Sequence, residues 1–185
     1  FFVSSRRRHA SLACDWGSVV CSSYLGVCNP CEFGENPRQP VNYLAHLYLA
    51  GPTDASRIGN LLGDFVKGTP ESLVGQYPAE VIDGIMMHRH LDRFTDEHEA
   101  FLKARSLLAR QTKAFAGIVV DIFFDHFLTQ HWEKFSEQPL PEFIEEMYTT
   151  LERHPEWLSP ELARVMPRMR EENWLHSYGT IEGLA

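Results

Sequence analysis

From Val41 to the end of the chain, apolar residues recur at three- and four-residue intervals, the spacing of an amphipathic helix. Ile58, Leu61, Leu62, Phe65 and Val66 predict one helix, with Lys67-Gly68 as its stop. Pro78 opens a second, which carries Val81 and Ile85 and runs to about 94. A third is expected over 98–109 and a fourth, the most apolar, over 113–135. A fifth spans 141–154. A sixth starts at Ser159 as N-cap with Pro160 in the first helical position, and continues to Tyr178 before Gly179. Thr180-Ile-Glu reads as one more helix start. No alternating run bounded by hairpin turns appears, and no repeat. The pattern predicts an all-α fold.

Residues 1–40 lack this period. They hold all four Cys (Cys14, Cys21, Cys28, Cys31) and the triplet Arg6-Arg7-Arg8. Asp15 and Trp16 interrupt the only stretch that could serve as a signal peptide. Cys28-Asn29-Pro30-Cys31 is half of a zinc motif without its other half. This segment is expected to be a disordered or non-native leader, joined through Asn36-Pro37-Arg38-Gln39-Pro40 to a helical domain over 41–185. No Cys follows Cys31, so that domain needs no oxidising compartment, and a cytoplasmic location is expected. Of 185 residues, 44% are hydrophobic and 23% charged, which excludes disorder over most of the chain. No apolar run approaches the roughly 18 to 20 residues of a membrane span. Residues 1–40 carry four Arg against three acids; the rest carries 13 basic and 22 acidic side chains. An acidic chain with no long basic stripe is a poor general binder of nucleic acid.

Polar residues in apolar faces carry the candidate chemistry. Val81, Ile85, His88 and Asp92 share one helix face, and Asp96 extends the row. His46 interrupts the apolar segment 43–49, and Asp64 lies on the flank of the 58–66 stripe beside Asn60. In the segment 118–128 the apolar residues surround Asp121, Asp125 and His126. A helix apolar on all sides is expected to be buried. Two carboxylates one turn apart repel each other, and burying them costs several kcal/mol or more unless something compensates. Buried Arg partners, backbone N–H donors or a cation could do so. No basic residue other than His126 and His131 lies between Lys113 and Lys134. A divalent ion shared with His from neighbouring helices fits this pattern well; a paired, purely structural charge network is the alternative.

The blocks Asn42-Tyr-Leu-Ala-His46-Leu, Gly59-Asn-Leu-Leu-Gly-Asp64-Phe-Val-Lys-Gly68, His88-Arg-His-Leu-Asp92-Arg-Phe-Thr-Asp96 and Asp121-Ile-Phe-Phe-Asp125-His126-Phe-Leu resemble four blocks of the bacterial acyl carrier protein phosphodiesterases, in the same order and at similar spacing. The resemblance covers about 42–185. It implies a helical bundle related to the HD-domain metal phosphohydrolases, although this chain has no adjacent His-Asp pair. It implies that Val41 stands at the family's start position, and that family members continue for further helices past Ala185. The implied reaction removes the 4'-phosphopantetheine arm from holo acyl carrier protein, with Mn²⁺ (or Mg²⁺) as the metal. On that reading Asp64, His88, Asp92, Asp121 and Asp125 surround the ion, and His46 and His126 act as general acid/base or orienting groups. An acidic partner would need a local basic patch. Lys103, Arg105, Arg110 and Lys113, with no acid between 100 and 120, offer one, joined by Arg89 and Arg93. Another phosphoester substrate, such as a nucleotide, and a non-catalytic helical binding module are the competing readings.

Overall fold

The computed structural model describes residues 42–112 and 116–180. The chain folds as helices throughout this range, and no strand occurs among the described residues. We label the helices α1 (Tyr43–Leu49), α2 (Asp54–Leu62), α3 (Pro70–Leu73), α4 (Ala79–Glu97), α5 (Glu99–Thr112), α6 (Ala116–Gln130), α7 (Leu140–Arg153), α8 (Pro160–Glu171) and α9 (Trp174–Ser177). Two 3₁₀ turns, Trp132–Lys134 and Pro155–Trp157, join α6 to α7 and α7 to α8. The expected leader over 1–40, the helix start after Thr180 and Lys113 lie outside the described residues. None of the described helices is long and apolar enough to cross a membrane.

Local rules account for most boundaries. Thr53 caps α2 by accepting the Ser56 N–H at 3.2 Å. Ser159 caps α8 by accepting the Leu162 N–H at 3.1 Å, with Pro160 in the first turn as expected. The sixth helix is not continuous: it stops at Glu171, and Asn173 takes a left-handed conformation (φ 48°) before α9 resumes the direction of the chain. The short α3 has no counterpart in the sequence pattern.

The core gathers Leu44 and Leu47 from α1, Ile58, Leu61 and Leu62 from α2, Val81 and Ile85 from α4, and Met147, Leu151, Leu162 and Met169 from α7 and α8. The tightest crossing is α2 on α4. Gly59 and Gly84 face each other there; a Cβ on Gly59 would lie 2.2 Å from the Val81 carbonyl oxygen, and one on Gly84 would lie 2.8 Å from the Ser56 oxygen. Two missing side chains let the backbones approach and bring the carboxyl end of α2 against the middle of α4.

Helix α6 departs from expectation. It is not buried on all sides: Phe123 and Phe127 are exposed and stack on each other. Its buried stripe is Ala116, Val120, Asp121, Asp125 and Leu128. The acids face inward while two phenylalanines face out, so the compensation for the buried charge has to lie inside the bundle.

Candidate metal centre

Three helices deliver the site. His46 lies within the buried run of α1, and His88 and Asp92 lie one turn apart on α4. Asp64 follows α2 after Gly63. The His46 and His88 rings stack with centroids 3.8 Å apart. Asp92 bridges them: its Oδ1 lies 3.3 Å from His46 Nε2 and its Oδ2 3.4 Å from His88 Nε2. Asp64 Oδ1 approaches His88 Nε2 to 3.8 Å. His46 and His88 are both 1% exposed.

Gly63 makes room for this arrangement, because a Cβ there would lie 2.2 Å from the His88 ring. Asn60, fully buried, orients His46. Its Oδ1 lies 3.1 Å from His46 Nδ1 and fixes the ring so that Nε2 faces Asp92. Burial, then the neighbouring His88, pushes the His46 imidazole below its ordinary pKa, against the opposing pull of Asp92. Burial also works against charge on His88, but the Asp92 hydrogen bond and the charges of Asp64 and Asp92 outweigh it and raise that pKa. Burial alone would raise Asp92; its bonds to His46 and His88 hold it down to about 2. His46 Nε2 and Asp92 Oδ1, 3.3 Å apart, hold an imidazole nitrogen and a carboxylate oxygen side by side beneath the surface. Asp64 Oδ2 is buried without a hydrogen-bond partner among the described residues. Buried polar atoms are nearly always satisfied, so the orphaned Asp64 oxygen beside two imidazoles and a second carboxylate suits a cation.

Among the described residues, His46, His88 and Asp92 offer donor atoms that all lie within 4.8 Å of one another. Imidazole and carboxylate donors suit a divalent first-row ion or Mg²⁺. Asp64 stands beside this group. The structure does not bring Asp121, Asp125 or His126 into it. Asp121 is fully buried one turn before Asp125. Asp125 accepts the backbone N–H groups of Leu44 and Ala45, each at 3.0 Å, so the buried carboxylate is compensated by helix α1. Burial pushes its pKa well above the usual range, and those two bonds pull it back. His126 Nδ1 is 2.7 Å from the Tyr178 carbonyl, a contact to the end of the described chain. His46, expected as an acid/base or orienting group, stands among the candidate ligands. Sequence reasoning missed the parts played by Asn60, Gly63 and Tyr178; the place of Asn60 beside Asp64 was the one available signal.

Of the expected docking residues, Arg93, Lys103 and Arg110 are exposed and Arg105 is half-buried. Arg89 is held differently. Its guanidinium donates to the carbonyls of Val66 (2.9 Å) and Gly68 (2.5 Å), and fastens the chain that leaves α2.

The sequence profile described as acyl carrier protein phosphodiesterase matches residues 41–185. The chain belongs to that family. Relatives named acyl carrier protein phosphodiesterase include one from Photorhabdus laumondii, 38% identical over 146 residues, which cover 78% of this chain and 72% of that protein. One from Klebsiella pneumoniae is 41% identical over 143 residues, 75% of this chain and 70% of its own. One from Yersinia pestis is 34% identical over 146 residues, 78% of this chain and 74% of its own. No solved structure matches the chain. Membership makes it a relative of enzymes that act on a phosphodiester bond, the kind of bond at which clustered imidazole and carboxylate groups have a use.

Proposed function

We propose that this protein hydrolyses the phosphodiester joining 4'-phosphopantetheine to a serine of holo acyl carrier protein, giving apo protein, with Mn²⁺ (or Mg²⁺) held by His46, His88 and Asp92. The observation that carries this reading is the largely buried group of His46, His88 and Asp92, with ligand atoms within 4.8 Å of one another, in a chain of this family. When bound, a divalent ion lowers the pKa of water and neutralises charge on phosphoryl oxygens. Asn60 and the Asp92 bridge fix both imidazoles before any ligand arrives, which removes the cost of orienting them. Asp64, close to His88 and with a buried unpartnered Oδ2, takes the proton of the attacking water. The water oxygen bonds to phosphorus and the bond from phosphorus to the serine oxygen breaks. That oxygen takes the proton Asp64 received, leaving a phosphomonoester and a serine hydroxyl.

Arg93, Lys103, Arg105 and Arg110 form the docking face on α4 and α5. Arg93 directly follows Asp92, so a partner steered there arrives next to the metal centre.

The test is to incubate the protein with holo acyl carrier protein and Mn²⁺ and weigh the carrier. Loss of the mass of the arm is expected, with none in His88→Ala or Asp92→Ala and little turnover on a nucleotide panel. An unchanged carrier mass with Mn²⁺ bound would overturn the assignment. Mn²⁺ should also raise the melting temperature of the protein, a shift that a non-catalytic module would not show.

A further inference from the structure

Helix α1 carries His46 but does not secure its own amino end. The first N–H groups of any helix lack intrahelical partners, and the N-cap residue Asn42 makes no side-chain cap bond. At seven residues α1 is also too short to be stable alone. Its first three donors are answered from elsewhere in the chain. Tyr43 N–H points to Tyr178 Oη at 3.4 Å, Leu44 N–H to Asp125 Oδ2 at 3.0 Å and Ala45 N–H to Asp125 Oδ1 at 3.0 Å. These partners lie 135, 81 and 80 residues away in sequence. The next residue is His46.

Tyr178 is itself held by α6. His126 Nδ1 bonds its carbonyl at 2.7 Å, and Gln130 Nε2 donates to Gly179 O at 2.8 Å. Helix α6 thus supplies the carboxylate cap and also anchors the segment that brings the phenol. Each of the bonds to α1 satisfies a helix donor that would otherwise be buried without a partner.

We infer that Asp125, together with Tyr178 held by His126, is a positioning clamp that seats α1 so that His46 Nε2 meets Asp92. It acts through α1 and contacts neither the ion nor the phosphoester. The inference rests on the proposed metal centre.

Two variants of the full chain test it, Asp125→Asn and Tyr178→Phe. Asn keeps the shape but only one acceptor oxygen, so one N–H of α1 is stranded. Mn²⁺ affinity is read from the electron paramagnetic resonance signal of free Mn²⁺, and hydrogen exchange is followed at Leu44 and Ala45. Asp125→Asn should speed exchange at both amides and weaken Mn²⁺ binding about tenfold, the usual effect of losing a group that orients a ligand. Tyr178→Phe should weaken it roughly threefold, as expected for one hydrogen bond. Excess Mn²⁺ should restore kcat in both, because the ligands remain, but not in His46→Ala. Tyr178→Phe removes one oxygen and keeps the test open if the Asp125 variant does not fold. Faster exchange with unchanged Mn²⁺ affinity in both variants would overturn the inference, and so would a loss in Asp125→Asn as deep as in His46→Ala, which would make Asp125 a ligand. Wild-type protein that binds no Mn²⁺ would overturn the metal centre and the clamp with it, whereas a failed clamp over a wild-type site that binds leaves the centre standing.

Discussion

Gly63 has no side chain, and the imidazole of His88 occupies the space where one would be. Its backbone is ordinary right-handed helix, so alanine there meets no strain except this collision. Gly63→Ala must therefore displace His88 or push α2 off α4. Mn²⁺ affinity in Gly63→Ala should fall by at least about tenfold, measured by titration against the wild type. Asp92 permits a different test at the same scale. Its folded pKa of about 2 lies below the ordinary value for a free Asp, about 3.9. A depressed carboxylate stabilises the fold above its unfolded pKa and loses that contribution as pH falls through the folded one. The window is thus about pH 4 down to pH 2, and the contribution is on the order of 2 kcal/mol. Urea unfolding of chelator-treated protein at pH 6 and pH 3 should show a smaller drop for Asp92→Asn than for the wild type. Equal drops would mean that Asp92 does not bridge the two histidines in the metal-free protein.

Pairs of helices set the distances that single residues then use. The approach of α2 to α4 depends on Gly59 and Gly84, where any Cβ would meet backbone rather than a yielding side chain. Gly84→Ala should cost about 1 to 3 kcal/mol in chemical denaturation, the usual range for overpacking. Gly117→Ala is the contrast. Its nearest neighbour would be 3.8 Å away, at the end of the Phe101 ring, and it is the second residue of α6. It should stabilise by up to about 1 kcal/mol, because alanine favours helix over glycine by that amount. These two glycines look alike in sequence, which shows where reading the chain stops. Helix α4 was legible because His88 and Asp92 lie seven and eleven positions after Val81, on one face with it. That face was set by period alone. Helix α6 was legible as a helix holding buried acids, and a charged group in apolar surroundings did require a partner. What the pattern could not reveal was that the partner of Asp125 is the backbone of α1. Every residue but proline has an N–H, so hydrophobic periodicity carries no trace of which ones are left over. Asp125 therefore meets α1, while His46, His88 and Asp92 converge because each is a polar interruption of a face that must pack. The break at Asn173 leaves no mark in the pattern for a related reason: a single left-handed residue hardly disturbs the apolar spacing on either side of it.

Charge is distributed over the whole molecule in a way that no single helix explains. From Val41 onward acids outnumber bases by 22 to 13, yet α5 keeps Lys103, Arg105 and Arg110 with no acid after Glu99. An acidic protein that must receive an acidic partner needs such a local reversal, since long-range repulsion would otherwise slow every encounter. Charges of this kind act on arrival and are screened within about 10 Å at 0.1 M salt, so their loss should not disturb a buried ion. Lys103→Glu/Arg110→Glu should therefore raise KM for holo acyl carrier protein severalfold at low salt, with the difference from wild type shrinking as salt is added. Mn²⁺ affinity and kcat should stay level. Arg89→Glu should behave otherwise, because Arg89 is spent on the carbonyls of Val66 and Gly68. Its loss frees the segment that follows Asp64, so the expected effect is on Mn²⁺ affinity and melting temperature, with little dependence on salt. Steady-state kinetics of the two variants across a salt series separate these roles. If the α5 double variant keeps its KM while Arg89→Glu alone shows the salt-dependent rise, the partner docks beside α4 and the α5 face is only solvated.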